Sequence, residues 1–104
     1  MAHRLSYRPH AEEDLEAIYR LIALDSPTRA FGFIEKIQGR CDLLRDFPEQ
    51  GRTRPDLRPR LRVIPYGRSV VIAYQITGDT IEVLRIFYGG QDYETIMSGD
   101  GESE

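Results

Sequence analysis

Arginine is the residue type with the strongest functional signal in this sequence. Thirteen of the fourteen basic residues are arginines, and six of them fall within residues 51–68 against a single acid, Asp56. This segment therefore carries a charge of +5, although the whole chain has a net charge of −3. Because a guanidinium group binds carboxylates and phosphates in a planar, two-pronged geometry, we expect the segment to contact an acidic surface. Its arginines are Arg52, Arg54, Arg58, Arg60, Arg62 and Arg68.

The spacing of these arginines suggests two roles. Three of them alternate in sequence, at Arg58, Arg60 and Arg62, and we interpret them as lying along one face of a strand where they meet an acidic partner. That partner would be an acidic segment of another protein, an acidic protein surface or nucleic-acid phosphate. The alternative is that charge on the segment keeps an exposed sheet edge from pairing with another copy. This second interpretation applies equally well to Arg52, Arg54 and Arg68.

Arg85 is different, since it lies among apolar residues near the end of the chain. We expect it to form a structural ion pair with Asp14 or Glu82. Its alternative role is in a surface that binds a target protein.

Other site chemistry finds little support in the residue types. Cys41 is the only cysteine, which excludes an internal disulfide, and His3 and His10 lack the spacing of a metal site. There is no glycine-rich phosphate loop and no plausible Ser–His–Asp set. We expect no metal and no cofactor.

Length and composition favour one small domain. A chain of 104 residues suits a single core, which we place at residues 1–97, followed by an acidic and disordered tail at 98–104. No apolar run is long enough to span a membrane, and the polar N-terminus lacks a signal region. We therefore expect a cytoplasmic protein without a membrane partner.

The hydrophobic pattern predicts an α+β fold in the order β-α-α-β-β-β. Apolar residues recur at helical spacing in two segments joined by a few residues, which predicts a helical hairpin. Later segments are β-branched and aromatic and are separated by turn signals. An antiparallel sheet should pack against the N-terminal helical hairpin, because each helix has one apolar stripe to bury. The predicted strands cover 2–7, 61–66, 69–76 and 80–88, and the helices cover 9–24 and 27 to about 47, with Ser26 as the N-cap of the second.

Two local predictions concern packing, and a third concerns a turn. The last strand alternates, so its side chains should face two ways: Ile81, Val83, Arg85 and Phe87 on one side, and Glu82, Leu84, Ile86 and Tyr88 on the other. Gly39, inside the second helix, marks a close contact between helices in our interpretation. Asp92, after two glycines, should cap a turn.

Taken in order, several segments resemble the ParE/RelE superfamily of type II toxin–antitoxin toxins, and the ParE branch most. The resemblance covers about residues 4–93. It includes the opening LSYRPHAEEDLEAIYRLIA and the second helix with its linker, SPTRAFGFIEKIQGRCDLLRDFPEQGRTRPDL. It continues through LRVIPYGRSVVIAYQI and the final IEVLRIFYGGQDY.

This resemblance implies a compact sheet with a helical hairpin and a cognate, ParD-like antitoxin that wraps the toxin. ParE members poison DNA gyrase, whereas RelE members are ribosome-dependent mRNA endonucleases. The implied function is gyrase poisoning without catalysis, and the alternative is an mRNA interferase. A third possibility is a regulatory module that represses its own operon, in which DNA is contacted only through the antitoxin.

The residues after the last strand separate the two branches. RelE-type ribonucleases place an arginine and a tyrosine there, whereas this chain has Gln91 and Met97 at about those positions. The groups that would transfer protons are thus mostly absent. If the chain were a nuclease, its catalytic set would be Arg58, Arg60, Arg85, Tyr88 and Tyr93. The predicted set for binding an antitoxin or target is Arg52, Arg54, Arg58, Arg60, Arg62 and Arg85.

Overall fold

The computed structural model describes residues 2–99, and its elements confirm the predicted order. Two helices follow a short strand, and three longer strands come later in the chain. The structure adds three elements that the pattern did not predict: a 3-10 turn, a two-residue strand and a short C-terminal helix. In chain order the elements are β1 (Arg4–Tyr7), α1 (Pro9–Ala23), α2 (Pro27–Leu43), a 3-10 turn (Pro48–Gln50), β2 (Arg52–Thr53), β3 (Arg62–Tyr66), β4 (Val70–Thr77), β5 (Thr80–Tyr88) and α3 (Tyr93–Ser98).

Local chemistry explains where the two long helices begin. Pro9 and Pro27 each occupy the first turn, where the missing N–H of proline costs no hydrogen bond. The hydroxyl of Ser26 accepts a hydrogen bond of 3.2 Å from the Arg29 N–H and so caps α2. The helical hairpin formed by α1 and α2 packs the apolar stripe of each helix on the sheet.

The sheet has five strands in the order β1-β5-β4-β3-β2. β3, β4 and β5 pair antiparallel, as predicted, and the unpredicted β2 pairs antiparallel with β3, but β1 pairs parallel to β5. The sheet is therefore mixed. β1 and β5 are separated by the helical hairpin and three strands, so no tight turn requires them to run in opposite directions.

Buried residues form one cluster on each face of the sheet. The larger, which we call the helix-side cluster, joins α1 and α2 to the sheet through residues such as Ile18, Ile37, Ile72 and Val83. The smaller, the far-side cluster, lies on the opposite face, where α3 and the loop before β3 supply the cover. Its buried members are Leu61, Val63, Ala73, Leu84, Phe87 and Met97.

The predicted alternation along β5 holds through Leu84 and is wrong beyond it, because β5 contains a bulge. Tyr74 pairs with Val83 and the preceding Ala73 pairs with Arg85, so Leu84 has no partner in β4. One extra residue shifts the period-two pattern by one position. Ile86 consequently joins the helix-side cluster, and Phe87 joins the far-side cluster.

Two further predictions meet the structure differently. Gly39 is exposed, and a Cβ built there has no neighbouring atom within 4 Å, so the expected close helix contact is wrong. The predicted tail, residues 98–104, overlaps α3, because Ser98 is the last residue of that helix. Residues 100–104 lie outside the described part of the chain. Within residues 2–99 no helix is both long and apolar enough to cross a membrane.

Candidate protein-docking surface

The arginine segment runs mainly through a loop, so the interpretation of Arg58, Arg60 and Arg62 as one strand face is wrong. β3 begins only at Arg62, and Arg58 and Arg60 belong to the turns before it. Pro59 has no N–H to give to a strand ladder. Arg60 also has a φ of 66°, which belongs to the left-handed region rather than to extended backbone.

Arg54 is an internal bridge. Its side chain is only 14% exposed, and it binds both carboxylate oxygens of Asp56, at 3.1 and 2.9 Å. It also contacts Glu94 at 2.9 Å and donates to the Tyr93 hydroxyl at 3.2 Å. The hydrogen bond from Arg54 lowers the pKa of Asp56. Arg54 thereby ties the loop to α3.

Arg62 is also used within the chain, at the turn between α2 and β2. Its Nη1 donates to the backbone carbonyls of Glu49, at 3.2 Å, and Gly51, at 2.8 Å. The buried Tyr74 completes the arrangement, since its hydroxyl donates to the Pro48 carbonyl at 2.7 Å and accepts from the Gly51 N–H at 2.8 Å. Arg62 therefore stabilises the turn.

Arg85 forms the predicted ion pair, and its partner is Asp14. The two side chains meet through two hydrogen bonds, Nε to Oδ2 at 2.8 Å and Nη2 to Oδ1 at 3.1 Å. Glu82, the other expected partner, instead accepts from Gln75 at 2.7 Å, and this bond lowers its pKa. Arg85 also lies 5.2 Å from the centroid of the Phe87 ring.

The remaining arginines of residues 51–68 differ in how exposed their side chains are. Arg52, Arg60 and Arg68 are exposed, and among residues 2–99 no side chain forms an ion pair or hydrogen bond with them. Arg58 is half-buried and takes part in an interaction of its own. The free positive charge of the segment is thus concentrated on three residues.

Two of these exposed arginines border two adjoining depressions, which share two lining residues and which we together call the far-side groove. One part has a volume of about 250 Å³ and is lined by Arg52, Val63, Pro65, Val71 and Tyr93. The adjoining part, of about 130 Å³, shares Pro65 and Val71 and includes Arg68 and Phe87. The groove thus has an arginine in each part and an apolar floor between them.

The five residues of the hypothetical nuclease set are divided between the two faces of the sheet and the loop before β3. Tyr88 packs edge-on against Phe33 of α2, with ring centroids 5.7 Å apart, beside the helix-side cluster. Tyr93 lies on the far side, 5.9 Å from Phe87. Arg85 is bound to α1 through Asp14. Arg58 and Arg60 lie in the loop before β3.

The two positions at which a ribonuclease would carry its arginine and tyrosine serve the fold. The Gln91 side-chain oxygen accepts from the Tyr88 N–H at 2.9 Å, and Met97 is 1% exposed in the far-side cluster. Asp92 is the N-cap of α3, accepting from the Thr95 N–H at 3.2 Å, so the predicted turn cap begins a helix. The Asp-x-x-Thr spacing was the available signal for this helix.

The sequence did not predict the floor of the far-side groove, because Pro65 and Val71 come together only through the pairing of β3 with β4.

A second depression, of about 240 Å³, lies between α1 and β5 beside Asp14, Leu21 and Ile86. Among the described residues, no three His, Cys, Asp or Glu side chains are close enough to hold a metal ion.

Comparison with known proteins identifies the family of this chain. Residues 5–93 match the family described as ParE toxin of type II toxin–antitoxin system, parDE. The structure is similar to the chromosomal ParDE toxin–antitoxin system from P. aeruginosa, with 27% identity, a TM-score of 0.72, and coverage of 84% of this chain and 96% of that one. It also resembles the RelBE2 toxin–antitoxin complex from Mycobacterium tuberculosis, with 18% identity, a TM-score of 0.60, and coverage of 86% and 100%. This second likeness is one of fold.

A search of curated protein sequences found no significant match. The family match nevertheless covers most of the chain, and a ParDE system is among the similar structures. The chain therefore belongs to the ParE toxin family of type II toxin–antitoxin systems.

Proposed function

We propose that this toxin acts by binding DNA gyrase and trapping its cleaved-DNA complex, with no catalytic chemistry of its own. As a ParE-type toxin it has a cognate antitoxin, which we propose is ParD-like and holds the toxin inactive. The antitoxin would also make any contact with operator DNA, because the toxin is itself acidic.

The observation that carries this proposal is the separation of the nuclease candidates. RNA cleavage needs an acid, a base and a cation within reach of one phosphate. Here Tyr88 packs beside the helix-side cluster and Tyr93 lies on the opposite face of the sheet. Arg85 is bound to Asp14, and Arg54 donates to the Tyr93 hydroxyl. This distribution favours a toxin that acts by docking.

Purified toxin should inhibit gyrase supercoiling and raise the amount of cleaved DNA, while mRNA on translating ribosomes stays intact. Adding the cognate antitoxin should restore supercoiling. The matched variant Tyr93→Phe removes a hydroxyl without changing the ring, so it should inhibit gyrase as the parent does. Cleavage of ribosome-bound mRNA with normal supercoiling, lost in Tyr93→Phe, would instead establish an mRNA interferase.

A further inference from the structure

We propose that the far-side groove binds an extended acidic segment of the cognate antitoxin. One carboxylate of that segment would bind Arg52, a second would bind Arg68, and an apolar side chain between them would lie on Pro65 and Val71. The inference rests on the antitoxin partnership of the proposed function and does not depend on gyrase being the target.

The two arginines are suited to an external partner because the chain does not neutralise them. Neither forms an ion pair or a hydrogen bond within the described residues 2–99. The positive charge of Arg52 acts on Asp56, but both carboxylate oxygens of Asp56 already accept hydrogen bonds from Arg54. An incoming carboxylate would thus meet Arg52 without displacing an existing bond.

The floor of the groove favours an apolar side chain. Pro65 is exposed, Val71 is half-buried, and the two residues pair across β3 and β4. Val63 beside them is buried. Apolar surface of this kind gains from being covered, while the flanking arginines fix the orientation of whatever covers it.

Strand geometry sets the spacing of the two carboxylates. Arg52 pairs with Val63, and Arg68 follows Tyr66, the last residue of β3. At about 3.3 Å per residue, the two arginines stand roughly 10–15 Å apart. Two acidic residues about four positions apart on an extended chain would span that distance.

A peptide fits this groove better than single-stranded nucleic acid does. Nucleic acid needs free aromatic faces on which bases stack, but the aromatic rings that line the groove pack on other rings. The ring centroids of Tyr93 and Phe87 lie 5.9 Å apart, and Tyr88 packs against Phe33. The Tyr93 hydroxyl is bound by Arg54 as well. The net charge of the chain, −3, also opposes binding to a phosphate backbone.

The test compares charge reversals inside and outside the groove. Arg52→Glu and Arg68→Glu should each raise the Kd for the full-length cognate antitoxin roughly tenfold at low salt, because a carboxylate would face a like charge. Arg60→Glu is the matched control, since Arg60 is an exposed arginine of the same segment that does not line the groove. It should change the Kd by less than about threefold. Equal losses in all three variants, or no loss in any, would overturn the proposal.

A supercoiling assay on the same variants separates this inference from the proposed function. Arg52→Glu and Arg68→Glu toxins should still inhibit gyrase but resist rescue by the antitoxin. Loss of gyrase inhibition with unchanged antitoxin affinity would assign the groove to the target and overturn the inference. If the parent toxin leaves gyrase unaffected while the variants lose antitoxin affinity, the inference stands and the gyrase proposal fails. Single-stranded RNA that binds tightly to the parent toxin and displaces the antitoxin would also overturn it.

Discussion

At the residue scale, Asp14 performs two tasks, since it pairs with Arg85 and accepts a hydrogen bond from the backbone of β5. Its Oδ2 accepts from Arg85 and from the Ile86 N–H, each at 2.8 Å. β1 ends at Tyr7 opposite Val83, so the edge of β5 beyond that point has no neighbouring strand. The carboxylate of Asp14 supplies the acceptor that a strand would otherwise provide.

Asp14→Asn should lower the free energy of unfolding by about 2–3 kcal/mol, because it leaves a mostly buried guanidinium without its counter-charge. The Arg85 side chain is only 18% exposed. Glu16→Gln is the control on the same helix, since Glu16 meets Arg20 at 3.0 Å with both side chains largely exposed. It should cost less than about 0.5 kcal/mol. Urea unfolding measures both, and equal losses would contradict the assignment.

At the element scale, two glycines differ in whether the fold requires them. Gly51 follows the 3-10 turn, and a Cβ there would come within 2.6 Å of the Tyr74 hydroxyl oxygen. Tyr74 is fully buried and is held by the turn, so its ring has little room to move aside. Gly39 lies in the middle of α2 with open space around it. The fold of the described chain therefore needs a glycine at the turn and needs none in the helix.

Gly51→Ala should lower the free energy of unfolding by about 1–3 kcal/mol through overpacking against Tyr74. Gly39→Ala makes the same chemical change in a helix and should raise it by about 0.5–1 kcal/mol. Thermal unfolding of the two variants beside the parent distinguishes them. If Gly39→Ala destabilised the free toxin, the exposed position assigned to Gly39 would be wrong.

At the scale of the whole molecule, β1 is joined to the helical hairpin through the core. The Tyr7 hydroxyl lies beside the Cys41 thiol, and Cys41 is fully buried. Burial raises the pKa of Tyr7, and it raises the pKa of Cys41 to about 11. Both groups therefore stay protonated in the folded protein at neutral pH.

Stability should consequently fall in alkali. The unfolded chain releases the Cys41 proton near pH 9, whereas the folded chain keeps it until about pH 11. The contribution of Cys41 to the free energy of unfolding should thus be constant below pH 9 and fall between pH 9 and 11, by about 2–3 kcal/mol. Tyr7 adds to the fall from about pH 10 upward. The variant Cys41→Ala should show a shallower pH profile in denaturant titrations, and an unchanged profile would refute the role of Cys41.

Much of the fold was predictable because local rules act along the chain. Helical spacing of apolar residues and the signals at Ser26 and Pro27 placed both long helices, and β5 was bounded correctly at Thr80–Tyr88. The pair between Arg85 and Asp14 was also expected, since an arginine among apolar residues needs a counter-charge. The ordered set of family segments indicated the toxin family from the sequence alone.

Tertiary structure decided the features that depend on which residues face each other. The bulge at Leu84 changes the sides of Ile86 and Phe87, because a strand's phase is set by its pairing with a neighbour. The assignment of the arginines likewise depends on contacts distant in sequence, such as that between Arg54 and Tyr93. The sequence by itself therefore determined the order of elements, the excess of positive charge and the family. Only the folded chain decided which arginines are internal and which stand free beside a groove, because burial and pairing are properties of neighbours in space.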